Sequence, residues 1–255
     1  MNKKNIYCIV NQKGGVGKTT TAVSIASILG KKTHKTLLID LDPQANATSG
    51  LGLYDKTFTY TVYDVLLKSV DINKAIYPTA ISDLYILPST KDLAGAEIEL
   101  VSEFNRERFL QVCLSRVQDM FDYIIIDCPP SLGLLTINAL TASHYVLIPV
   151  QSEYYALEGL ARLTGTIELV KKALNPDLLI RGIVVTMFDK RVTLSRQVEE
   201  EAREYFKEKV FQTVIPRNVR LSEAPSFGEP IIIYDKKSKG AKAYKSLVKE
   251  IFYGQ

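Results

Sequence analysis

Apolar positions along the chain fall into short runs separated by longer stretches with helical spacing. Residues 6–10 (IYCIV) form the first run, and others lie at 37–39, 85–87, 123–126, 145–150 and 180–187. They are rich in Ile, Val, Leu and Tyr and short enough for strands buried on both faces. Helical patterns lie between them, near residues 19–29, 97–120, 136–141, 156–174 and 195–206. This alternation predicts an α/β fold, a mostly parallel twisted sheet with helices on both faces. Residues 46–63 are polar, glycine-containing and poorly periodic, which predicts a loop or lid. No internal repeat, low-complexity tract or Pro/Gly-rich linker divides the chain, so residues 1–255 are expected to form one domain.

No apolar run approaches the roughly 18 residues of a membrane-spanning helix. The start leads straight into the first strand without a signal-peptide pattern, which predicts a cytoplasmic protein. The apolar share is 46% and the charged share 24%, ordinary for a folded domain and too apolar for a disordered one. Three widely spaced cysteines, Cys8, Cys113 and Cys128, form neither a disulfide framework nor a metal-binding spacing. Charge is unevenly placed: residues 1–188 carry 18 basic and 18 acidic side chains, whereas residues 189–255 carry 14 and 10. Between residues 217 and 249 the count is 8 against 3, which hints at a polyanionic partner.

The strongest chemical signal is Asn11-Gln12-Lys13-Gly14-Gly15-Val16-Gly17-Lys18-Thr19-Thr20, directly after the first strand and opening the first helix. Glycines in that position let backbone N–H groups converge on a phosphate, and the helix N-terminus adds positive potential. Lys18 is placed to neutralise β- and γ-phosphates, and the Thr19 hydroxyl to ligate Mg²⁺. The strict phosphate-loop pattern fails at Gln12, where it requires glycine; an extra lysine, Lys13, follows instead. Two later strands end in carboxylates. Asp40-Leu41-Asp42-Pro43-Gln44 places two aspartates at a spacing that points both the same way in an extended chain. Tyr123-Ile124-Ile125-Ile126-Asp127-Cys128-Pro129-Pro130 supplies a third, Asp127, fit to hold a Mg²⁺ shell through water. Carboxyl ends of parallel strands are where α/β sheets bind ligands.

The K-G-G-x-G-K-T loop resembles the deviant Walker A loop of the ParA/MinD class of P-loop ATPases. The segments at residues 40–52, 151–159 and 216–228 resemble those of the ParA/Soj partition ATPases, and the similarity runs from about residue 5 to the C-terminus. That resemblance implies a P-loop NTPase fold, ATP and Mg²⁺ as ligands, and an ATP-dependent homodimer. It implies that residues 13–20 hold the nucleotide, with Lys13 reaching the partner's phosphates, and that Pro216 and Asn218 lie around the adenine. It casts Asp42 as the residue that orients the attacking water and places Asp40 nearer the metal. Gln151, Glu153, Tyr155 and Glu158 are implied at the dimer interface. The dimer is expected to bind DNA without sequence preference and to release it when a ParB-type partner stimulates hydrolysis. Arg191 and Arg220 match basic positions of the family, and Lys236, Lys237, Lys239, Lys242 and Lys245 join them on charge density alone.

No N-terminal helix-turn-helix domain is expected, because five residues precede the first strand. A MinD-like membrane-surface ATPase is the main rival. It needs an amphipathic helix for the bilayer, and the stripe Tyr244, Leu247, Val248, Ile251 and Phe252 is expected to pack on the sheet instead. A redox protein with a cluster shared between subunits needs paired cysteine ligands, and Cys128 has no evident second one.

Overall fold

The computed structural model describes residues 5–153 and 156–254. Along the chain, β1 (Ile6–Ile9) leads into α1 (Lys18–Lys31), then β2 (Thr36–Asp40), α2 (Asn46–Ser49), α3 (Val62–Leu67), β3 (Tyr77–Pro78) and β4 (Leu84–Leu87). Next come α4 (Leu93–Glu99), α5 (Phe109–Leu114), β5 (Tyr123–Asp127), α6 (Leu134–Ala142), β6 (Tyr145–Gln151) and α7 (Ala156–Ala173). The chain closes with β7 (Leu179–Thr186), α8 (Thr193–Phe206), α9 (Val219–Glu223), α10 (Ile231–Tyr234) and α11 (Lys239–Tyr253).

The described residues form a seven-stranded sheet in the order β3-β4-β2-β5-β1-β6-β7. All neighbours run parallel except the β3–β4 pair. Alternate residues of β1 serve opposite faces. Ile6 and Cys8 pack toward α3, α5, α6 and α7, whereas Tyr7 and Ile9 pack toward α1 and α11. Burial on both sides explains why these strands read as continuous apolar runs. The register sets Ile9 and Asp40 opposite Asp127, so β1, β2 and β5 end level at one edge.

All six predicted strands are present. The two-residue β3 was not anticipated, and it contains Pro78, which suits an edge. The helix expected over residues 97–120 is instead broken into α4, α5 and short 3₁₀ turns. Asn105 sits at φ 57°, and the buried Asn138 side chain takes over the next start: its Oδ1 accepts from Leu110 N at 3.1 Å and its Nδ2 donates to Arg106 O at 2.7 Å. The expected loop over 46–63 begins with α2 and its last residues open α3. The stripe on α11 is covered: Tyr244, Leu247, Val248 and Ile251 are buried, and the Tyr244 hydroxyl meets Thr21 of α1 at 3.0 Å. No helix among the described residues is long and apolar enough to cross a membrane.

Candidate functional site

The loop between β1 and α1 is fixed from three sides. Asn11 donates to Pro149 O at 2.7 Å and accepts from Lys13 N at 3.0 Å, which ties the loop to β6. Gln12 donates to Gly159 O of α7 at 3.2 Å, and Thr186 of β7 donates to Val16 O at 2.8 Å. Gly15 and Gly17 have φ of 75° and 88°, a conformation that side chains resist, so the loop needs glycine there. Val16 is buried and anchors the loop rather than facing the cavity.

Beside the loop lies a cavity of about 600 Å³. Gly14, Gly15, Gly17, Lys18, Thr19 and Thr20 line one end, Asp42, Gln44 and Asn46 another, and Pro130 a third side. The far wall is Met187, Leu221, Ala224–Ser226 and Glu229–Ile231. The volume suits a nucleotide. Pro216 and Asn218 fall outside the lining residues, so this wall comes from the α9–α10 segment that follows them.

Lys18 is 6% exposed and donates to Lys13 O at 3.0 Å. Burial holds its ammonium below the usual lysine range, opposed by the negative charge of Asp127. Asp127 is fully buried, and neither carboxylate oxygen has a hydrogen-bond partner. Burial first, and then Asp40, push its pKa well up; Thr19 faces it and offsets part of the rise without a hydrogen bond of normal geometry. An unpartnered buried carboxylate beside a threonine hydroxyl is the donor set a hydrated Mg²⁺ takes. Asp127 and Thr19 would hold the ion, which supplies charge neutralisation at phosphate oxygens when bound.

The two aspartates after β2 do not act alike. Asp42 lines the cavity and accepts from Gln44 N at 2.9 Å. Asp40 turns away from it: Oδ2 takes both the Thr48 amide and hydroxyl at 2.8 Å, and Oδ1 takes Asp42 N at 3.3 Å. Asp40 thus stands outside the cavity lining, yet of the two aspartates it is the one whose charge acts more strongly on Asp127. The strand ends at Asp40, so the alternation that aligns the pair stops there, and Asp40 instead anchors α2. The loop-fixing bonds of Asn11 and Thr186 escaped the sequence reading because Pro149 and Val16, which they bind, lie 138 and 170 residues away.

Lys13 does not line the cavity; its Nζ pairs with Glu153 Oε2. Gln151 donates to the other oxygen of Glu153, and Glu158 pairs with Arg162 one turn along α7. Tyr155 lies outside the described residues. Arg191 is held bidentate by Asp189, and Arg220 contacts Glu223 at 2.9 Å and Asp235 at 3.7 Å. Lys236, Lys237, Lys239, Lys242 and Lys245 are exposed. Cys8 and Cys128 are buried free thiols, and burial pushes Cys8 up to about 12.

A glycine loop between a parallel strand and a helix, facing strand-end carboxylates across a nucleotide-sized cavity, defines a P-loop ATPase fold. A family model described as an AAA domain matches residues 4–180. The chromosome partitioning protein ParA of Myxococcus xanthus is 56% identical over 246 residues, covering 96% of this chain and 87% of that one. The sporulation initiation inhibitor protein Soj of Bacillus subtilis is also 56% identical, covering 96% and 97%. Among solved structures, a Mycobacterium smegmatis protein described as cobyrinic acid a,c-diamide synthase, with bound ATP analogue and magnesium, superposes with TM-score 0.85. It is 37% identical, over 99% of this chain and 97% of that one. The chain belongs to the ParA/Soj family of partition ATPases.

Proposed function

We propose that this protein is a Mg²⁺-dependent ATPase that segregates DNA. ATP brings two copies together face to face, and the dimer binds DNA without sequence preference. A ParB-type partner stimulates hydrolysis, which separates the copies and releases the DNA. The protein then works in the cytoplasm, on the nucleoid, as a single ATPase domain.

The observation that carries this reading is Lys13. It stands at the loop yet points out of its own cavity, with an exposed carboxylate for a partner. A cation so placed is free to serve phosphates outside its own protomer, and charge supplied in trans stabilises the phosphoryl-transfer transition state. Within one protomer, Lys18 and the loop amides hold the phosphates, Thr19 and Asp127 hold Mg²⁺, and Asp42 orients water for in-line attack. Gln151, Glu153, Tyr155 and Glu158 belong to the joining face, where Glu153 pairs with Lys13, and Pro216 and Asn218 lead into the segment that walls the adenine end. Arg191, Arg220 and Lys236, Lys237, Lys239, Lys242 and Lys245 supply phosphate contacts to DNA, which a dimer doubles.

The test is DNA retention with ATP, with ADP and with no nucleotide. Retention with ATP alone supports the reading; retention indifferent to nucleotide, or none in any state, defeats it.

A further inference from the structure

Five exposed lysines surround a slot of about 230 Å³ between α1, α10 and α11: Lys31, Lys32, Lys236, Lys245 and Lys249. Its floor is Ile28 and Ile232, 3% and 4% exposed. The walls are therefore lysine stems lying over apolar surface, with the ammonium groups at the rim. Lys245 and Lys249 are one helical turn apart and share a face.

None of the five makes an ion pair among the described residues. The two carboxylates adjacent in sequence are turned elsewhere. Asp235 serves the Lys237 and Ser238 amides and Arg220, and Glu250 accepts from the Gln212 and Thr213 amides. Lys32 is steadied over the Tyr253 ring, 4.6 Å from its centroid. Arg191 and Arg220, by contrast, each carry intrachain carboxylates that a DNA phosphate must displace. A cation already neutralised by its own chain gains less from a phosphate than one facing only water, because binding is driven by release of the counterions condensed on DNA.

We propose that this lysine-rimmed slot is a principal DNA-backbone contact of the protein, and that Lys31, Lys32 and Lys249 belong to it. The proposal rests on the DNA-binding reading above and says where the phosphates sit. Duplex DNA fits better than a lipid surface. A bilayer-bound helix needs a free apolar face, and that of α11 is buried with its lysines outward. The slot also lies at the far end of α1 from the phosphate loop, about 20 Å away for 14 residues. Charge can be changed there without touching the nucleotide.

The experiment measures affinity for a random-sequence duplex across a salt series, using the ATP-bound protein with hydrolysis blocked by Asp42→Ala. A Lys31→Ala/Lys32→Ala/Lys249→Ala variant in that background is compared with a Lys→Arg variant at the same three positions. Each lost phosphate contact flattens the slope of log affinity against log salt by about 0.9, so six lysines in a dimer account for up to ~5. The account expects a slope shallower by at least ~2 and affinity lower by roughly tenfold or more for the alanine variant, with near-normal values for the arginine variant. ATP binding and dimer mass stay unchanged. An unchanged slope while the Asp42→Ala parent binds DNA overturns the slot assignment alone, as does binding of these lysines to phosphatidylglycerol vesicles with the DNA slope intact. A parent that binds no DNA in any nucleotide state overturns the underlying reading as well.

Discussion

The Lys13 ammonium lies 2.5 Å from a carboxylate oxygen of Glu153 in the same chain. The two side chains are 47% and 46% exposed, so the pair is solvated and contributes about 0–1 kcal/mol. Lys13 can leave it at little cost when triphosphate from a second copy arrives. Lys13→Ala is therefore expected to keep ATP binding and lose roughly 100-fold or more of partner-stimulated turnover. Glu153→Gln, which removes only the resting partner, is expected to leave thermal stability almost unchanged. Stimulated turnover by Lys13→Ala at the normal rate contradicts the role assigned to Lys13.

Asp42 faces the cavity with one oxygen bound to the Gln44 amide. Asp42→Ala is expected to bind ATP with normal affinity while hydrolysis falls by roughly 10²–10⁴-fold, the range for loss of a group that positions or deprotonates water. Equilibrium nucleotide binding and single-turnover kinetics on one sample separate the two effects. Loss of ATP binding with the hydrolysis step intact would show that Asp42 only holds nucleotide.

Burial raises Asp40 to about 6 and Asp127 well above the ordinary carboxylate range. A carboxylate whose pKa rises on folding contributes stability while protonated. That contribution is complete below the unfolded value, near 4, and is lost as pH climbs through the folded value. The nucleotide-free protein is therefore expected to lose stability between about pH 4 and pH 6 from Asp40, with Asp127 extending the loss upward. Asp127→Asn is expected to flatten the upper part of that profile and raise the melting temperature at pH 7.5, while weakening Mg²⁺-dependent ATP binding. Denaturant titrations across pH check it, and parallel profiles for the two proteins count against it.

Gly52 and Gly228 have φ of 74° and 63°, and a Cβ on Gly228 would stand 2.6 Å from Gly52 Cα. The atom it would meet is backbone, so it does not give way easily. The contact holds the loop after α2 against the segment that walls the cavity. Gly228→Ala is expected to cost ~1–3 kcal/mol, lowering the melting temperature by roughly 2–10 °C and weakening ATP binding. A variant with unchanged melting and affinity removes this contact from the account.

The central strands were legible because burial on both faces leaves a continuous apolar run, and the phosphate loop because glycine and lysine spacing is itself the chemistry. What escaped depends on contacts between distant residues. Asn138 ends one helical stretch and starts another by capturing Leu110 N, although residues 97–120 carry helical spacing throughout. Thr48 binds Asp40, which builds a helix at residues that look like loop and withdraws that aspartate from the cavity. The cavity wall at residues 221–231 comes from short turns with no periodicity to read. Likewise, charge density singled out the C-terminal lysines, but only folding brings Lys31 and Lys32 beside them.

The most direct test of the account is the mass of the Asp42→Ala protein in solution by light scattering, with ATP, with ADP and without nucleotide. The account predicts twice the 28.5 kDa chain mass with ATP alone, and the single-chain mass with ATP once Lys13→Ala is added. A single-chain mass for Asp42→Ala in every condition would contradict it.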